Sequence, residues 1–71
     1  MVLALELIEG ALEQQPTPEM RSLLLEEKSF IYAEQQKGLE ALAAAEAAFL
    51  LSSSLTARYL KGRALALLGR L

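Results

Sequence analysis

The chain has 71 residues, a formal net charge of −2 and no cysteine, so it is one small domain without a disulfide framework. It also lacks His, Asp, Asn and Trp, which rules out a Ser–His–Asp or Cys–His arrangement and a zinc site built from the usual ligands. Its four glycines are isolated rather than gathered in a phosphate-cradling loop, so no catalytic residue, metal or cofactor is expected.

Residues 2–15 read as a first helix. Leu5, Ile8 and Leu12, with Ala4 and Ala11, recur at three- and four-residue spacing, and Glu6, Glu9 and Glu13 form the wet face. Those three glutamates share a face, but without a His or a burying pocket they are a solvated surface rather than an acid/base pair. Gly10 costs about 1 kcal/mol against Ala within a helix, which marks either close backbone approach or simple tolerance.

Pro16-Thr17-Pro18-Glu19 ends that helix and starts the next. Pro16 cannot continue a helix, Thr17 can cap one, Pro18 suits its first turn, and Glu19 meets the positive end of the dipole. The second helix is predicted over 18–36, ending before Gly38. Its apolar residues fall in two clusters, Met20 to Leu25 and Phe30 to Ala33, with Glu26-Glu27-Lys28-Ser29 between them.

The stretch Leu39–Leu51 is alanine-rich, with Glu40 and Glu46 its only charges, and no Gly or Pro interrupts it. A helix apolar nearly all round is buried on several sides, so this third helix is expected to be the central strut. Ser52-Ser53-Ser54 breaks it, and one of the three serines is expected to cap a fourth helix over 55–70. There Ala57, Leu60, Ala64, Leu67, Leu68 and Leu71 form the apolar stripe, while Arg58, Lys61, Gly62, Leu65 and Gly69 lie opposite. The reading is therefore an all-α fold, four antiparallel helices in a single domain, 1–71.

Charge is unevenly placed. All nine acidic residues, every one a Glu, lie at or before Glu46, where Arg21, Lys28 and Lys37 leave a balance of −6. Beyond it, Arg58, Lys61, Arg63 and Arg70 give +4. Cations suit a C-terminal helix end, and four of them without clustered aromatics make a weak phosphate footprint, so nucleic acid is not an expected partner. No run reaches the roughly 18 apolar residues of a membrane span. The opening Met-Val-Leu-Ala-Leu-Glu lacks the basic region of a signal peptide. A soluble, cytoplasmic protein is the default expectation. With 54% hydrophobic residues the chain is more apolar than so small an interior can hide, so part of its surface should be covered by a protein partner or by another copy.

A repeat emerges from the spacing. Ala4-x3-Ile8-x2-Ala11-x4-Pro16 and Ala41-x3-Ala45-x2-Ala48-x4-Ser53 share one pattern, 37 residues apart. Leu25, Ser29 and Tyr32 stand as bulky, small and aromatic residues of a second pattern, and Gly62, Leu65 and Gly69 suit its small, bulky and turn positions in the last segment. These resemble the second and first helices of a tetratricopeptide repeat, cut out of phase as second–first–second–first, although that family repeats every 34 residues. Leu25 or Arg58 stands where it has Trp. The resemblance implies a short array of two helix-turn-helix units and a non-catalytic interaction module. Such an adaptor or chaperone holds a helical or extended segment of a partner protein in a concave groove. The cochaperones that keep a bacterial secretion-needle subunit from polymerising are similar to it. It further implies that first-helix residues line the groove, here Glu26, Phe30 and Ala33, and Tyr59, Arg63 and Ala66. Two competing readings stand beside it: a homo-oligomeric bundle joined through the alanine-rich helices, and a helix-turn-helix DNA-binding regulator reading with the basic fourth helix. The latter is short of base-reading side chains.

Overall fold

Two caps set the helix starts. Thr17 Oγ1 accepts from the Met20 amide at 3.3 Å with Pro18 in the first turn, and Ser54 Oγ accepts from the Ala57 amide at 3.0 Å. The protein is described by a computed structural model, which covers residues 2–69. Its helices are α1 (Val2–Glu13), α2 (Pro18–Glu34), α3 (Gly38–Leu51) and α4 (Leu55–Gly69), so the class is all-α. Arg70 and Leu71, the expected end of the last helix and of its apolar stripe, lie outside the described residues. Among the described residues no helix is long and apolar enough to cross a membrane.

The ends of α1 and α2 fall slightly earlier than expected, because glutamines take the left-handed turns. Gln15 has φ 54° and Gln36 has φ 60°. Lys37 N–H donates to Tyr32 C=O at 2.9 Å and Gln36 N–H to Ala33 C=O at 3.0 Å, the paired bonds of a Schellman ending. Gly38 is therefore not the stop signal for α2; it opens α3. Its need for hydrogen in place of a side chain comes from packing: a Cβ there would sit 2.9 Å from Leu68 Cδ2. Gly10, by contrast, has open space around it, so tolerance explains it.

The alanine-rich α3 lies between α2 and α4 and buries Gly38, Ala41, Ala44, Ala45 and Ala48, as expected of a central strut. α2 packs against all three other helices, α3 against α2 and α4, and α1 against α2 alone. The body measures 35 × 27 × 13 Å, only about two helices thick, so few side chains can be enclosed. Those wholly enclosed are small, Ala41, Ala45, Ala48, Ala57, Ala64 and Ser29, and Ile8, Ile31 and Leu60 are the large side chains buried beside them. The α2–α3 seam shows why. Ser29 Oγ donates to the Ala41 carbonyl at 2.8 Å and Ser22 Oγ to that of Ala48 at 3.5 Å, a reach possible only where two helices run close. Since α2 and α4 cover the Ala41, Ala44, Ala45 and Ala48 face within the chain, a bundle joined through the alanine-rich helices would have to use the other side of α3, where Leu39, Ala43 and Leu50 are exposed.

A small-residue core leaves large apolar side chains outside. Leu3, Leu7, Leu39, Leu50 and Leu55 are all more than two-thirds exposed. The expected excess of apolar surface is present.

Candidate interaction groove

Along α2, the residues facing α3 are Ser22, Glu26, Ser29 and Ala33, so the larger apolar side chains Met20, Leu23 and Phe30 turn outward. They form the floor of a groove of about 730 Å³. Ala4 of α1 borders it on one side and Thr56, Tyr59 and Leu60 of α4 on the other. Phe30 is 48% exposed and Tyr59 64%, which makes them the two aromatic surfaces an incoming chain would meet. Glu27 is exposed on the same floor, and among the described residues Glu26 and Glu27 are the only charged ones lining the groove. A second depression of about 260 Å³ continues between α2 and α4, lined by Ala33, Glu34, Gln36, Arg63, Ala66 and Leu67.

All six residues singled out from the sequence thus line these two hollows: Glu26, Phe30 and Tyr59 the first, Ala33, Arg63 and Ala66 the second. Their availability differs. Phe30, Tyr59 and Ala66 are exposed, whereas Ala33 is buried in the core with Ala41 and Ala64. Glu26 is 9% exposed, and its carboxylate accepts the Ser54 hydroxyl at 2.6 Å. Since the same Ser54 oxygen caps α4, Glu26 works chiefly as a structural tie. Arg63 is committed too. It donates to Glu34 Oε1 at 2.6 Å and its guanidinium lies 5.3 Å from the Phe30 ring centroid. The bond to Glu34 raises its pKa above the ordinary arginine value, so it stays charged at every working pH. A ligand reaching Arg63 would therefore meet it already paired with Glu34.

Sequence reasoning missed Met20, Leu23 and Glu27 as groove residues. The signal was present: Leu23, Glu27 and Phe30 are four and three apart, a helical stripe.

No protein-family model, no curated protein and no solved structure matches this chain.

Proposed function

We propose that the chain is a non-catalytic protein–protein interaction module, a small adaptor or chaperone that holds a helical or extended segment of a partner protein in the groove over α2. The observation that carries this reading is the position of Met20, Leu23, Phe30 and Tyr59. Four large apolar side chains converge, each about half exposed or more, on a concavity of about 730 Å³ in a chain whose core is built mostly of Ala and Ser. An apolar patch of this kind, rimmed by polar groups, marks an interaction site. A groove floored by one helix and walled by others takes an amphipathic segment as its natural occupant, read through residues three and four apart. The arrangement resembles that of a tetratricopeptide array, in which first helices, here α2 and α4, face the bound segment. Because Glu26 and Glu27 are the only charges in the lining among the described residues, the preferred segment carries Lys or Arg beside its apolar face.

The test is an amide-shift titration of ¹⁵N-labelled protein with two model amphipathic peptides, one Leu/Lys and one Leu/Glu. Shifts from the Leu/Lys peptide are expected to cluster at Leu23, Glu27, Phe30, Thr56 and Tyr59, with Tyr59→Ala weakening binding about tenfold, as for an aromatic anchor. Absence of shifts with both peptides, or shifts confined to the outer face of α3, refutes the reading.

A further inference from the structure

The chain contains, within itself, a template for a contact that its two ends leave unmade. A shift of 33 residues carries Ser22, Leu25, Ser29 and Tyr32 of α2 onto Leu55, Arg58, Gly62 and Leu65 of α4. A shift of 37 carries Ala41, Ala44 and Ala48 of α3 back onto Ala4, Leu7 and Ala11 of α1. Inside the molecule the two originals are pressed together: Ser29 reaches the Ala41 carbonyl, Ser22 reaches that of Ala48, and Leu25 and Tyr32 border one hollow with Ala44. On α1 and α4 the equivalents are mostly uncovered among the described residues, with Ala4 and Ala11 half-buried. Leu55 is 80% exposed, Arg58, Gly62 and Leu65 are exposed, and Leu7 is 67% exposed on α1.

We propose that a second copy of this chain docks its α1 on the free face of α4, repeating between molecules the contact that α3 makes with α2 within one. Shape agrees: nothing lies within 4 Å of a Cβ built on Gly62, which leaves room for a helix to approach as closely as α3 approaches α2. Charge agrees as well. α1 carries Glu6, Glu9 and Glu13 and no cation, whereas α4 carries Arg58, Lys61 and Arg63 and no acid. Glu9 pairs with Lys28, Lys61 with Glu46 and Arg63 with Glu34, so among the described residues Glu6 and Glu13 on one side and Arg58 on the other are the charges left for a new contact. The template also sets which charges meet. Within the chain, Ala43 borders the same hollow as Leu25 and Lys28. The shifts turn these into Glu6, Arg58 and Lys61. An incoming Glu6 is placed beside two cations, of which Arg58 has no ion-pair partner among the described residues.

The two faces are different, so the contact is heterologous and each added copy leaves both a free α1 and a free α4. A single helix-on-helix contact is smaller than the roughly 1,200–2,000 Å² of a stable interface, so growth is reversible. It leaves Thr56, Tyr59 and Leu60 to the groove, and it holds whether or not the groove binds a partner.

The measurement is weight-average mass by sedimentation equilibrium, from ~10 μM to ~1 mM, a range in which contacts of this size dissociate. It is made on the wild type, Glu6→Lys, Arg58→Glu and an equimolar mixture of the two variants, with circular dichroism to show that each is folded. The expected wild-type mass climbs past twice the monomer without a plateau. Each variant alone stays monomeric, because its reversed charge meets a like charge on the neighbouring copy. The mixture regains the wild-type rise, since every mixed contact again joins opposite charges. A wild type that stays monomeric, a plateau at the dimer, folded variants that associate like the wild type, or a folded mixture that stays monomeric each overturns the proposal.

Discussion

The bond between Glu26 and Ser54 ties the start of α4 to the middle of α2, and its removal has a magnitude that can be worked out. Ser54→Ala deletes two interactions at once. Loss of the N-cap to the Ala57 amide costs about 1 kcal/mol. Loss of the 2.6 Å bond to a charged acceptor costs about 2 kcal/mol more. Glu26→Ala removes only the second, about 2 kcal/mol, since the serine oxygen can still cap. In the double variant the shared bond is lost once, so the expected total is about 3 kcal/mol rather than the additive 5, a coupling of about 2 kcal/mol. Urea unfolding followed by circular dichroism measures this, with an osmolyte added to all samples so that the weakest variant begins folded. Ser53→Ala serves as control; it is exposed, takes part in no side-chain bond among the described residues, and should stay within about 0.5 kcal/mol of wild type. Additive losses in the double variant, or a Ser54→Ala change below about 0.5 kcal/mol, would show that the tie does not hold α4.

Three further expectations follow from the same packing. Gly10→Ala should raise stability by about 0.5–1 kcal/mol, because it improves helix propensity in open space. Gly38→Ala should instead lower it by about 1 kcal/mol, because its Cβ meets Leu68 Cδ2 at 2.9 Å and Cγ at 3.0 Å; melting temperatures that shift in the same direction would refute the contrast. Gln36→Gly relieves a left-handed residue at φ 60° and should gain about 1 kcal/mol in the same assay, whereas a loss would mean the Gln36 side chain matters more than its backbone. Hydrogen exchange should find α1 amides opening at least about tenfold faster than those of α3, since α1 rests on α2 alone; equal protection would show that the helices unfold as one unit.

The helices and their starts were legible in the sequence because they rest on local chemistry. Alanine and leucine favour helix everywhere, Thr17 and Pro18 need only their own neighbours, and the triple serine after Leu51 contains the cap that α4 uses. The groove was partly legible: the six residues drawn from the repeat spacing do line its two hollows, yet Glu26, Ala33 and Arg63 proved to be engaged within the fold. What could not be read was which side of α2 faces in. Hydrophobic periodicity assumes that a core takes the largest apolar groups, but here the axes run so close that Ser, Ala and one tied Glu fill the seam, with Leu25 and Tyr32 at its edge. The serines do not lose hydrogen bonding by burial, because the helix carbonyls opposite accept their protons. Two serines seven residues apart, Ser22 and Ser29, set against two alanines seven apart, Ala41 and Ala48, are the trace of that seam in the sequence. Gly38 was misread for a related reason, since its constraint comes from Leu68, far away along the chain.

A body 13 Å thick has a thermal consequence as well. The heat capacity of unfolding scales with the apolar surface that unfolding newly exposes, and this chain already shows much of its leucine to water. Its stability curve is therefore expected to be shallow and broad, changing little between cold and warm. Covering Leu7, Leu23, Phe30, Leu55 or Tyr59 buries apolar area that folding alone leaves wet, so association carries a share of the heat-capacity change that a thicker domain would release on folding. A calorimeter would see that share only when the surface is occupied.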